Sequence, residues 1–117
     1  MLKKGGVRCG DIIWTEFNPS VGHEFQDKRP ALVIQSNQQL SKSNLVTVMP
    51  ITSNINNRTF DDILIQPDKV NKLNRTSVVK VYAIVSCDYQ RLIGKVGMVS
   101  REIMEQTKKY LKKHFGV

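Results

Sequence analysis

Five short runs rich in Val and Ile, each bounded by turn residues within a few positions, confine this chain to a small β fold. The first is "DIIWTEF", residues 11–17, ended by Asn18-Pro19. The second, "ALVI" at 31–34, is continuous and apolar, which suits a central strand covered on both faces. "LVTVM" at 45–49 is expected to stop at Pro50, and "ILI" at 63–65 precedes Gln66-Pro67. "SVVKVY" at 77–82 continues or bends toward Ile84 and Val85. Close spacing with mostly short connections predicts an antiparallel sheet curled into a compact, SH3-like, half-open barrel. Residues 37–43 add a short helical turn.

The period changes at 100–115. Ser100 is placed to cap a helix, because its hydroxyl can accept from a free N–H of the first turn. Glu102 and Glu105 lie toward the positive end of the helix dipole, and Lys108, Lys109, Lys112 and Lys113 toward its negative end. Ile103, Thr107, Tyr110, Leu111 and His114 form one face that would pack on the sheet. The fold class expected is therefore mainly β with a C-terminal α-helix.

With 117 residues, no linker-like tract and no internal repeat, residues 1–117 read as one domain. No apolar run approaches the roughly 18 residues of a membrane span, and the N-terminus lacks the apolar stretch of a signal peptide. Cys9 and Cys87 lack metal spacing and read as reduced residues flanking the core of a cytoplasmic protein, with no metal or other cofactor expected. The net charge of +8 is spread over the chain and calls for a polyanionic partner, nucleic acid or an acidic protein segment. A basic surface kept for solubility would look the same by charge alone.

Two polar stretches stand out beside the strands. "GHEFQDKRP" brings His23, Glu24, Asp27, Lys28 and Arg29 to the mouth of the second strand. Pro30 biases Arg29 toward an extended backbone, and a guanidinium held there can grip two oxygens of a phosphate. A salt bridge to Glu24 or Asp27 is a competing and compatible use of that cation. "MPITSNINNR" runs a strand out into Thr52 and Ser53, then amides, then Arg58. Hydroxyls there can donate to phosphate oxygens and amides can read base edges, although Ser, Thr and Asn are also ordinary loop residues.

Taken together, "GDIIWTEFNPSVGHEFQDKRPALVIQSN" and "VTVMPITS" resemble the opening half of the MazF/PemK (Kid) toxins, endoribonucleases of type II toxin–antitoxin pairs. The pattern G-D-I/V-x-W/Y, N/D-P-x-x-G-x-E, R-P-x-L-V-I and P-I/V-T-S occurs in order and spacing. "SVVKVYAIVSCDYQRLIGKVG" is similar to the family's second half, so the resemblance covers about the whole chain. It implies the CcdB/Kid/MazF-like toxin fold, a homodimer, and metal-independent cleavage of single-stranded RNA at short preferred sequences. The products would be a 2′,3′-cyclic phosphate and a 5′-OH. It also implies a cognate MazE/PemI-like antitoxin.

By the resemblance, Arg29 is the catalytic arginine and Thr52 its partner. Glu24 matches the family's loop acid that orients Arg29, and Lys80 a cation found in some members; from the residues themselves, His23 can serve as a base or an RNA contact, and Lys28, Ser53 and Arg58 as supporting or RNA-binding residues. Asp88 matches a structural Asp near the Arg91-Leu92 pair. The chain departs from the family where relatives often carry an acidic residue, then Gln, with an Arg shortly beyond: Tyr82, Ala83 and Val85 stand there, leaving the general base unassigned. Two function classes remain side by side, an endoribonuclease and a non-enzymatic, CcdB-like DNA gyrase poison of the same fold. Retention of Arg29 and Thr52 favours the former, and a third reading is an RNA-binding relative without activity.

Overall fold

The computed structural model describes residues 2–18, 22 and 27–117. Seven strands appear among them: β1 (Asp11–Glu16), β2 (Lys28–Val33), β3 (Leu45–Thr52), β4 (Ile63–Ile65), β5 (Ser77–Val79), β6 (Val85–Asp88) and β7 (Leu92–Met98). Two helices accompany them, α1 (Asn37–Leu40) and α2 (Arg101–Phe115). The strand order is β4-β5-β3-β2-β1-β7, all neighbours antiparallel, with β6 on β3.

β3 organises the sheet. One of its edges carries β2, while the other is shared, β6 pairing with residues 45–48 and β5 with Ile51 and Thr52. Pro50 does not end the strand as the sequence predicts. It falls in the gap between the β6 and β5 ladders, where its missing N–H interrupts no pairing on that side, and its carbonyl accepts from Lys80 N at 2.9 Å. Pro30 likewise lies inside β2, which begins at Lys28 rather than at 31. There β2 pairs with β1 alone, and the ladder with β3 starts at Ala31. The run at 77–82 ends as a strand at Val79 and turns through a 3-10 segment, Val81–Ala83.

Alternation along these strands builds two cores on opposite faces. Ile12, Leu32, Met49, Ile51, Val79 and Val81 pack under α2 through Tyr110 and the half-buried Ile103 and Leu111. Ile13, Ala31, Val33, Val46 and Val48 form the other face with Leu92 and Cys87. Register shifts between Ile12 and Ile13 and between Trp14 and Thr15 bend β1 against β7, which curls the sheet into a half-open barrel. Ser100 Oγ accepts from Ile103 N at 3.2 Å, and Gly116, at φ 69°, closes α2 in the left-handed conformation that favours glycine. Of the expected helix face, Thr107 and Tyr110 are buried while His114 is exposed. Both cysteines are free. Among the described residues no helix is long and apolar enough to cross a membrane.

Candidate active site

Arg29 sits two residues into β2, opposite Thr15 of β1. The β2–β3 ladder pairs Ala31 with Pro50, Leu32 with Met49 and Val33 with Val48. Continued by two residues, that register brings Arg29 level with Thr52, the last residue of β3. Because side chains alternate, Arg29 shares a face with Ala31 and Val33, and Thr52 shares it with Pro50 and Val48. Both therefore stand where the second core runs out to its rim, and both are half-buried. Thr15 lies between two strands, fully buried, its hydroxyl donating to Ile13 O at 2.9 Å.

Thr52 Oγ1 accepts from Asn54 N at 3.1 Å. That bond uses a lone pair and leaves the hydroxyl proton available for an incoming oxygen. Ser53 and Arg58 are exposed on the loop beyond, which includes a 3-10 turn, Ile55–Asn57. Lys28 is exposed and stands opposite Glu16 in the β1–β2 ladder. His23 and Glu24, expected to flank the site, lie outside the described residues, as does most of the β1–β2 loop. Hydrogen bonds close the neck of that loop. Phe17 N donates to Asp27 O at 2.9 Å, and Asn18 and Asp27 exchange two bonds of 3.1 Å. Asp27 adopts φ 63°, a conformation Asp tolerates better than most residues. Arg91 Nη1 reaches across from the β6–β7 connection to the carbonyls of Glu16 and Asn18, so its cation braces the strand end leading into the loop.

Lys80 is placed differently from the other basic candidates. β4 and β5 pair Ile63 with Val79, which sets Asp62 opposite Lys80, and their side chains form an ion pair. The Asp62 carboxylate is fully buried and also accepts from Thr59 N at 2.9 Å and Val81 N at 3.2 Å. Burial works to raise the Asp62 pKa; the Lys80 and Thr59 bonds outweigh it and hold the carboxyl below the usual carboxylate range. Tyr82, where relatives often carry an acid, donates to Asp61 Oδ2 at 2.5 Å and packs edge-on against Tyr110 of α2, centroids 5.8 Å apart. The Asp61 bond pushes the phenol up to about 12. Tyr82 therefore ties the Val81–Ala83 turn to the helix. Asp62 carries no motif of its own, and Arg91 belongs to the Arg91-Leu92 pair of the resemblance without a site role there. The signal for Asp62 was an acid just before one strand and a base just after another, legible only once those strands pair.

The family described as PemK-like, MazF-like toxin of type II toxin-antitoxin system has a sequence model that matches residues 8–115. This chain belongs to that family. Endoribonuclease MazF6 of Mycobacterium tuberculosis is 33% identical over 109 residues, 92% of this chain and 95% of its own length. Endoribonuclease toxin ChpB of Escherichia coli is 32% identical over 108 residues, 91% of each chain. In structure, MazF of Deinococcus radiodurans superposes with a TM-score of 0.81 at 22% identity, covering 95% of this chain and 97% of that one. The same toxin in a MazE-MazF crystal gives 0.73 at 18% identity, covering 95% and 96%. These last two likenesses bear on the fold, and they match the half-open antiparallel sheet closed by a C-terminal helix.

Proposed function

We propose that this chain, read as a single toxin domain over 1–117, is a sequence-selective endoribonuclease toxin that cleaves single-stranded RNA, chiefly mRNA, without a metal ion. The observation that carries the reading is the level placement of Arg29 and Thr52 at one rim of the sheet, in a chain whose curated relatives are endoribonucleases. Those relatives favour cleavage over the gyrase-poison alternative.

The chemistry asks little of the protein beyond charge and position. The ribose 2′-oxygen attacks the adjacent phosphorus, the bond from phosphorus to the 5′-oxygen breaks, and a 2′,3′-cyclic phosphate and a 5′-OH result. Negative charge builds on the phosphoryl oxygens in between, so preorganised donors aimed there lower the barrier. Arg29 supplies the fixed cation, at the phosphorane or the departing oxygen, and Thr52 donates to a non-bridging oxygen. A guanidinium has no lone pair for the 2′-OH proton, which passes to water or to the RNA itself, and water returns a proton to the departing 5′-oxygen. In this reading Glu24 orients Arg29, His23 contacts RNA, and Lys28, Ser53 and Arg58 line the path of the strand.

The same reading makes the chain a cytoplasmic homodimer held in check by an antitoxin with an acidic segment. Support for the dimer comes from exposed apolar residues such as Leu45, Ile93 and Met98, and support for an acidic partner from the net charge of +8. The decisive experiment incubates the purified protein with a long single-stranded RNA in EDTA. Discrete fragments with 5′-OH ends are expected. Intact RNA together with inhibited gyrase supercoiling would replace this reading with the alternative.

A further inference from the structure

We infer that the Lys80–Asp62 ion pair is a positioning device for the loop that follows Thr52, and through it governs how RNA is seated against the Arg29–Thr52 rim. The inference rests on the cleavage reading above. Residues 53–60 are all exposed, so this loop has no side chain in either core to hold it. Its position depends on polar ties, and the two that fasten its middle and far end to side chains elsewhere in the fold meet at one pair. Lys80 Nζ donates to Asn57 O at 3.1 Å and pairs with the Asp62 carboxylate, while Asp62 Oδ2 accepts from Thr59 N at 2.9 Å. Asp62 Oδ1 accepts from Val81 N at 3.2 Å, and Lys80 N donates to Pro50 O at 2.9 Å. One residue therefore bonds to β3 just before Thr52, to the 3-10 turn at the middle of the loop, and to the carboxylate at its far end.

The enclosure of the pair separates this role from direct RNA contact. The Lys80 side chain is only 15% exposed and Asp62 not at all. Two of the three Lys80 N–H donors are spent on a buried carboxylate and a carbonyl, so Lys80 acts on RNA through the loop that its bond to Asn57 O restrains, the loop that carries Ser53 and Arg58. A loop with few buried contacts opens locally at small cost unless such ties restrain it. Loss of the pair should consequently loosen substrate seating and site preference more than the chemical step.

The test compares the parent, Lys80→Met, the double variant Asp62→Asn/Lys80→Met, which leaves no lone buried charge, and the conservative Lys80→Arg. Two readouts are taken on each: amide hydrogen exchange across 54–62, and KM, kcat and cut sites on a single-stranded RNA. In the Met variants the amides of Asn54, Ile55 and Arg58 should exchange at least about tenfold faster, those of Leu40 and Val99 staying as in the parent. KM should rise about tenfold with a much smaller fall in kcat and a broader set of cut sites. Lys80→Arg should recover most of both. Unchanged loop exchange in a folded Met variant overturns the inference, as does a hundredfold fall in kcat at constant KM, which would put Lys80 on the reacting group. If the parent itself cuts no RNA, the cleavage reading fails separately, and the exchange comparison still decides whether the pair holds the loop.

Discussion

Arg29 and Lys80 are both cations flanking β3, one on the β2 side and one on the β5 side, and they have opposite surroundings. Directly across from Lys80 stands an acid, Asp62, fully buried and bonded to three donors. Across from Arg29 stands a hydroxyl residue, Thr15, and level with it on the other neighbour stands another, Thr52. The acid facing Lys80 across the ladder takes up its charge inside the fold, whereas Arg29 stands at a rim between two hydroxyl residues. Identical formal charge at two strand ends of one sheet thus serves architecture in one place and, on the reading proposed here, chemistry in the other.

The contrast can be broken by exchanging the losses. Arg29→Ala is expected to lower cleavage by about 10²–10³, the usual consequence of losing one preorganised donor, with a melting temperature close to the parent's. Activity within a few-fold of the parent in an RNA cleavage assay would remove Arg29 from the mechanism. Thr52→Ala should cost less, on the order of tenfold, because a neutral hydroxyl contributes less than a charge-assisted bond. If it cleaves like the parent, Ser53 or backbone amides hold the phosphate.

The smallest effect sharpens the other side of the comparison. The folded-state pKa of Asp62 is depressed, so its bonds contribute stability that is fully present above the unfolded carboxyl pKa, about 4. That contribution is lost as pH falls through the lowered folded value. Thermal melting of the parent and of Asp62→Asn should therefore differ most at neutral pH and converge below about pH 4. A gap that stays constant down to strong acid would mean that the charge on Asp62 contributes nothing to folding.

Much of the fold was legible because its signals are local. The Val/Ile runs at 11–17 and 63–65, the start of β3 at 45, a helical turn within 37–43 and the Ser100-capped helix appear where the residues put them. β6 and β7 carry no such local signal. "VSCD" is half polar and "LIGKVGM" carries two glycines, so neither looks like a strand until β3 and β1 supply its partners. Gly97 shows why one of those glycines stands there: a Cβ would press into the backbone carbonyls of Val70 and Asn71, a contact no local pattern announces.

By itself, then, the sequence determined the mainly β class, the closing helix, the family and the identity of the rim candidates Arg29 and Thr52, because propensity, capping and motif order are properties of neighbouring residues. Tertiary structure alone decided that β3 runs through Pro50, that Arg29 and Thr52 come level, and that Lys80 faces Asp62 rather than solvent. Each of those depends on strand register. Register is fixed by pairing between residues far apart in the chain, and a slip of one position would turn every one of these side chains to the other face.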